Sequence, residues 1–187
     1  MLSEAEKRYL LKVARNAIES ELNNIPPQEM SLCPPSLMKP CGVFVTLSKQ
    51  GELRGCIGYT EEVRPLAMAV EDVAVKAATE DPRFTEVSPD ELPLIEIEIS
   101  VISPIVPIKN IEELEIGHHG LLLEWKAYRG LLLPQVPLDY GWDTETFLNQ
   151  TSRKAGLPPS AWKYPETKLY VFTAEVFSER SLEIARQ

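Results

Sequence analysis

Ile95, Ile97, Ile99 and Val101 alternate with Glu96, Glu98 and Ser100 in one unbroken run. Side chains on a strand point to opposite faces at period two, so this run must lie with one face in an apolar core and the other in a polar setting. Such a strand belongs in an antiparallel sheet covered on one side, not in a parallel sheet buried on both. The covering layer is legible as well. Ser3-Glu4-Ala5-Glu6 forms a capping box, and behind it Leu10, Val13, Ala14, Ala17, Ile18 and Leu22 make an apolar stripe at helical spacing. Leu66, Ala69, Val70, Val73, Ala74 and Ala77 supply a second such face, with Pro65 predicted as its first helical residue and Asp81-Pro82 as its end.

Gly42 to Leu47 reads as a strand, Ser48 to Gly51 as a turn and Leu53 to Tyr59 as the returning strand of a β-hairpin. Further along, Leu121 to Trp125 and Leu131 to Leu133 make a second hairpin, turned at Ala127 to Gly130. Asp143 is placed to cap a helix carrying Phe147 and Leu148 that stops at Gly156, and Leu169 to Phe177 is a final strand. The order α-β-β-α-β-β-β-α-β lacks βαβ alternation, which predicts an α+β fold: a mainly antiparallel sheet flanked by helices. At 187 residues the chain suffices for one domain with a sizeable core and a small annexe.

Chemistry concentrates in Gly51-Glu52-Leu53-Arg54-Gly55-Cys56-Ile57-Gly58. Alternation puts Leu53, Ile57 and Tyr59 on one face and Arg54 and Cys56 on the other. Repeated glycine inside a strand marks a bulge or close approach by backbone or ligand, which singles out Gly55 and Gly58. A cation two residues away on one face favours thiolate at Cys56. A guanidinium buried there needs a carboxylate or a bound anion, and Asp81, Glu96 and Glu98 are the candidate partners of Arg54. The packing alternative is equally concrete: a buried cysteine behaves as a small hydrophobe, and the glycines let a helix sit close on the hairpin.

The same hexapeptide, Leu53 to Gly58, resembles the signature of the AMMECR domain family. Collinear matches follow at Gly42 to Leu47, Asp81-Pro82-Arg83-Phe84, Glu98 to Val101, His119-Gly120, Leu132 to Val136, Gly141-Trp142-Asp143 and Lys154 to Leu157. They span nearly the whole chain. The resemblance implies a single domain over 1–187 with a larger part around an antiparallel sheet and a smaller subdomain. It also implies a family of unestablished activity, whose prokaryotic members are encoded beside a Memo-like protein and a radical-SAM enzyme. Ser152 stands where many relatives are expected to carry a cysteine, so a mechanism needing a second thiol there does not transfer.

Two rival functions follow. In the first, Cys56 is a reactive or ligand-contacting centre, Arg54 and Arg83 attract an anionic ligand such as a carboxylate or phosphate, and His119 moves a proton. His119 is chosen over His118 because only it matches the family pattern. Gln135 serves there either as an orienting amide or as a backbone cap. In the second, the chain is a non-catalytic module docking to Memo-like and radical-SAM partners. The net charge of −9 argues against nucleic acid as a partner. No apolar run approaches the ~18 residues of a membrane span, and the charged start is unlike a signal peptide, so the cytoplasm is the expected compartment. Cys33, Cys41 and Cys56 are expected as free thiols. No metal-ligand spacing or phosphate loop predicts a cofactor.

Overall fold

A computed structural model describes residues 1–30 and 32–184. In chain order its helices and strands are α1 (Glu4–Asn23), β1 (Gly42–Lys49), β2 (Glu52–Tyr59), α2 (Leu66–Thr79), β3 (Ile95–Ile102), β4 (Val106–Pro107), β5 (Gly120–Trp125), β6 (Tyr128–Leu132), α3 (Val136–Asp139), α4 (Thr144–Lys154), β7 (Lys168–Phe172) and β8 (Ala174–Ser178). They form an α+β fold with two antiparallel sheets and flanking helices. Two compact units result, residues 1–102 with 175 onwards, and residues 103–174.

The first unit holds a sheet of order β2-β1-β3-β8. Val43, Val45, Leu47, Ile95, Ile97 and Ile99 are fully buried on one face, in a cluster with Leu10, Leu11, Ala14 and Ile18 of α1 and Val70, Val73, Ala74 and Ala77 of α2. The other face carries Phe44, Thr46 and Ser48 of β1, Cys56 and Gly58 of β2 and Glu96, Glu98 and Ser100 of β3, and its cross-strand rows follow from the register. Cys56 lies beside Thr46, which lies beside Glu98; Gly58 lies beside Phe44, which lies beside Ser100. The Ser3–Glu6 capping box starts α1 as expected. Pro65, by contrast, is the residue before α2 and lends only its carbonyl, which accepts from the Ala69 amide.

Two features of the hairpin depart from the sequence reading. The turn shrinks to Gln50-Gly51, both at positive φ (55° and 87°), which is the two-residue connection whose twist matches the strands. Leu47 then pairs with Gly55 but Ser48 with Leu53, leaving Arg54 as an extra residue in a β-bulge. The bulge breaks the alternation, so Leu53 does not share the core face of Ile57 and Tyr59 and stays exposed.

The second unit has a sheet of order β4-β7-β5-β6. Leu121, Val171, Phe147, Leu148 and Leu114 form one core cluster there, and Leu123, Ala155, Leu157 and Ala161 another. Asp143 caps α4 through the Thr146 amide, and Gly156 (φ 78°) follows its end. The second hairpin turns at Lys126-Ala127 rather than at 127–130, because Trp125 still pairs with Tyr128. The predicted final strand is two strands in different sheets, β7 pairing with β4 and β5 and β8 lying beside β3. Thr173 is the break: its carbonyl and amide both bond to Ser103, not to a sheet neighbour.

Candidate functional site

Cys56 sits half-buried on the polar face of β2. Its Sγ accepts a hydrogen bond from Thr46 Oγ1 at 3.3 Å, and its amide donates to Asp81 Oδ2 at 2.8 Å. Asp81 lies two residues past α2 and is 5% exposed. A buried carboxylate needs several donors to be tolerated, and Asp81 has them: besides the Cys56 amide it accepts from the Arg83 amide, from Arg83 Nε at 2.9 Å and from Arg83 Nη2 at 2.7 Å. The Arg83 fork is the main reason that the Asp81 carboxyl is held below its ordinary value of 3.8, at about 2.

Arg83 is thereby held in place while its side chain keeps 41% of its exposure. Asp81 takes Nε and Nη2, the guanidinium lies over the Phe84 ring at 5.4 Å, and Nη1 has no partner among the described residues. The group also stands within electrostatic range of the Cys56 sulfur. On the polar sheet face the thiol lies in a row with Thr46, which donates to it, and Glu98, while its backbone amide ties β2 through Asp81 to the immobilised Arg83.

Asp81 sets a pH dependence whose sign is fixed. A carboxyl whose pKa is depressed on folding contributes stability above its unfolded value and loses it as pH falls through its folded value. That window runs here from about pH 4 down to about 2. The contribution is at most roughly 2 kcal/mol, since solvent around Arg83 screens the pair. Urea unfolding of the wild type and of Asp81→Asn should thus differ by up to about 2 kcal/mol at pH 6 and converge near pH 2. A constant difference at both pH values would assign the effect to packing.

The other candidates have different surroundings. Arg54 does not serve the thiol: its Nε and Nη2 bond Glu91 at 3.1 and 3.0 Å, and its Nη1 and Nη2 bond the carbonyls of Thr85 and Glu86. Its partner is thus Glu91, not Asp81, Glu96 or Glu98, and Arg54 together with Lys49 holds the Glu91 carboxyl well below the usual range. Gly55 backs onto α2, where a Cβ would collide with the Ala77 carbonyl oxygen, and Gly58 backs onto the Phe44 ring. His119 and Gln135 belong to the second unit. His119 Nδ1 accepts from the Glu115 amide at 3.1 Å, closing a turn. Gln135 lies past the end of β6, where its carbonyl accepts from the Leu138 and Asp139 amides and caps α3. Pro134 belongs to the turn between β6 and α3.

Thr46 was not singled out from sequence. Its signal was the conflict between the bare two-residue turn, which pairs Cys56 with core-facing Val45, and the alternation that puts Cys56 on the polar face. A surface groove of about 710 Å³ runs beside α1, lined by Arg8, Lys12, Asn16, Glu19 and Gln28 among others, and none of Cys56, Thr46, Asp81 or Arg83 lines it. Among the described residues, no three His, Cys, Asp or Glu side chains are grouped to hold a metal ion, and no helix is long and apolar enough to cross a membrane.

The profile of the AMMECR1 family matches residues 11–177. The chain belongs to the AMMECR1 family. A Thermococcus gammatolerans protein is 47% identical over 184 residues, covering 91% of this chain and 89% of its own length. One from Methanothermobacter thermautotrophicus is 46% identical, covering 95% and 96%. The crystal structure of an uncharacterized protein, PH0010 from Pyrococcus horikoshii, superimposes with a TM-score of 0.90 at 39% identity, over 95% of this chain and 93% of that one. Family membership thus runs across both units, including the strand that carries Cys56.

Proposed function

We propose that this AMMECR1-family protein binds a small anionic ligand at Cys56 and presents that thiol as the reactive atom. The reading is carried by the Thr46 hydroxyl donated to Cys56 Sγ on a strand anchored through Asp81 to Arg83. A donor on sulfur favours thiolate over thiol. The remaining Arg83 N–H groups suit a carboxylate or phosphate on the ligand. Such a site fits a protein that exchanges a substrate with the Memo-like and radical-SAM proteins that the family resemblance implies.

A pair of alkylating probes of equal size tests this. Iodoacetamide is neutral and iodoacetate anionic; with either, sulfur attacks carbon, the S–C bond forms as the C–I bond breaks, and iodide leaves. Peptide mass spectrometry reports each cysteine separately, with Cys33 and Cys41 as internal references. Cys56 should show an iodoacetate-to-iodoacetamide rate ratio several-fold above theirs, and Arg83→Gln should lower it. Thr46→Val should slow Cys56 alkylation at pH 7 roughly fivefold, the equivalent of one hydrogen bond of about 1 kcal/mol. Labelling of Cys56 only on global unfolding would return the residue to the core.

A further inference from the structure

The second unit carries an exposed aromatic surface. Tyr140 is 70% exposed and stacks on Trp142, the ring centroids 4.9 Å apart and the planes 17° from parallel. Trp142 in turn packs against the Leu114–Phe147 cluster. Leu138, 60% exposed, continues the surface, and a Cβ at Gly117 would stand 3.0 Å from its methyl groups. The loop before β5 and the turn around α3 thus meet here. Among the described residues, Tyr140 and Leu138 are the two most exposed large hydrophobic side chains of the second unit.

Charge narrows what can cover them. Carboxylates stand close to the contact residues in sequence: Glu115 beside Leu114, Asp139 between Leu138 and Tyr140, and Asp143 beside Trp142. Among the described residues, Glu115, Asp139 and Asp143, next to the contact residues in sequence, have no Lys or Arg partner. An electron-rich ring face next to a carboxylate attracts cations twice over, through the ring quadrupole and through Coulomb attraction. Arginine suits it best, because its planar guanidinium stacks on a tyrosine face while its N–H groups reach a carboxylate.

We propose that Leu138, Tyr140 and Trp142 form a docking site for an arginine-containing, positively charged peptide segment of a partner protein. The exposed tyrosine ring takes the guanidinium, Leu138 takes the aliphatic stem of a neighbouring residue, and Asp139 supplies the carboxylate. The proposal stands apart from the thiol site, which lies in the other unit.

Fluorescence anisotropy with a labelled Gly-Arg-Gly-Arg-Gly-Arg-Gly peptide tests it on the full chain, in 150 mM salt. Tyr140→Ala should weaken binding at least fivefold and Asp139→Lys at least as much. Tyr140→Phe should leave it within about twofold, because the ring face is kept. Unchanged thermal unfolding of the Tyr140 variants checks that the surface alone was altered. Equal affinity of wild type and Tyr140→Ala would overturn the proposal. So would equal affinity for the peptide with glutamine at each arginine. A dimer in sedimentation velocity that dissolves in Tyr140→Ala would assign the surface to a second copy of the chain and overturn it as well.

Discussion

Gly55→Ala is expected to destabilise the first unit by about 3 kcal/mol or more, the upper range for forcing atoms into a packed core. The methyl group would enter the space of the Ala77 carbonyl oxygen, which is helix backbone and cannot rotate aside. Relief requires lifting α2 from β2, and Val70, Val73, Ala74 and Ala77 would lose contacts along the shared core. Alanine also restricts the unfolded chain more than glycine, but that gain is only ~0.4–1 kcal/mol and the clash outweighs it. For a chain of this size the loss corresponds to a fall in Tm of roughly 6–12 °C. Gly51→Ala is the control. It has open space around it and suffers only from its φ of 87°, so its cost should stay near 1 kcal/mol. Thermal unfolding of the two variants side by side decides the matter. Equal Tm values would show that helix and strand yield freely at Ala77.

Glu179→Ala should cost about 3–5 kcal/mol, the range for stripping a partner from a buried charge. The Glu179 side chain is 3% exposed and accepts from Arg15 Nε and Nη2 at 3.0 and 2.6 Å and from the Ile97 amide at 3.1 Å. Arg15 also holds the carbonyls of Leu92 and Ile95, so it joins α1, the start of β3 and the segment after β8 at one point. Without the carboxylate, a mostly buried guanidinium keeps only neutral acceptors and the Ile97 amide loses a partner. Replacing both ends, Arg15→Met with Glu179→Leu, removes the charge imbalance and should be much less damaging than Glu179→Ala alone. Urea unfolding of these variants gives the comparison. A double variant as unstable as the single one would show that Arg15 contributes through its carbonyl bonds.

The helices, the hairpin and the Ile95–Val101 strand were legible because each is a local pattern with a single period. Register was not. Counting back from Gln50-Gly51 sets Cys56 opposite Val45, and only the extra residue at Arg54 moves it opposite Thr46. A bulge has no reliable residue signature, so the hydroxyl that makes the thiol interesting stayed hidden. Arg54 misled for a related reason. Its charge was visible, but its carboxylate partner came from a Ser88–Glu91 capping box outside the hairpin. Leu169 to Phe177 read as one strand because an apolar run carries no mark of a change of sheet. At Asp81-Pro82-Arg83 the helix exit was readable, whereas the grip of Asp81 on the Cys56 amide depends on tertiary placement.

The place of β8 beside β3 bears on how the chain is made. Everything from Ser103 to Ala174, 72 residues, is synthesised after β3 and before Glu175. At ~5–20 residues per second the ribosome needs roughly 4–14 s for that stretch. From the time β3 leaves the ribosome until β8 follows it, β3 is the unfinished border of a nascent three-stranded sheet, with unpaired backbone groups open to any passing strand. Glu96 and Glu98 line that border at alternate positions. Until β8 arrives, they are a charged guard against pairing with another nascent chain.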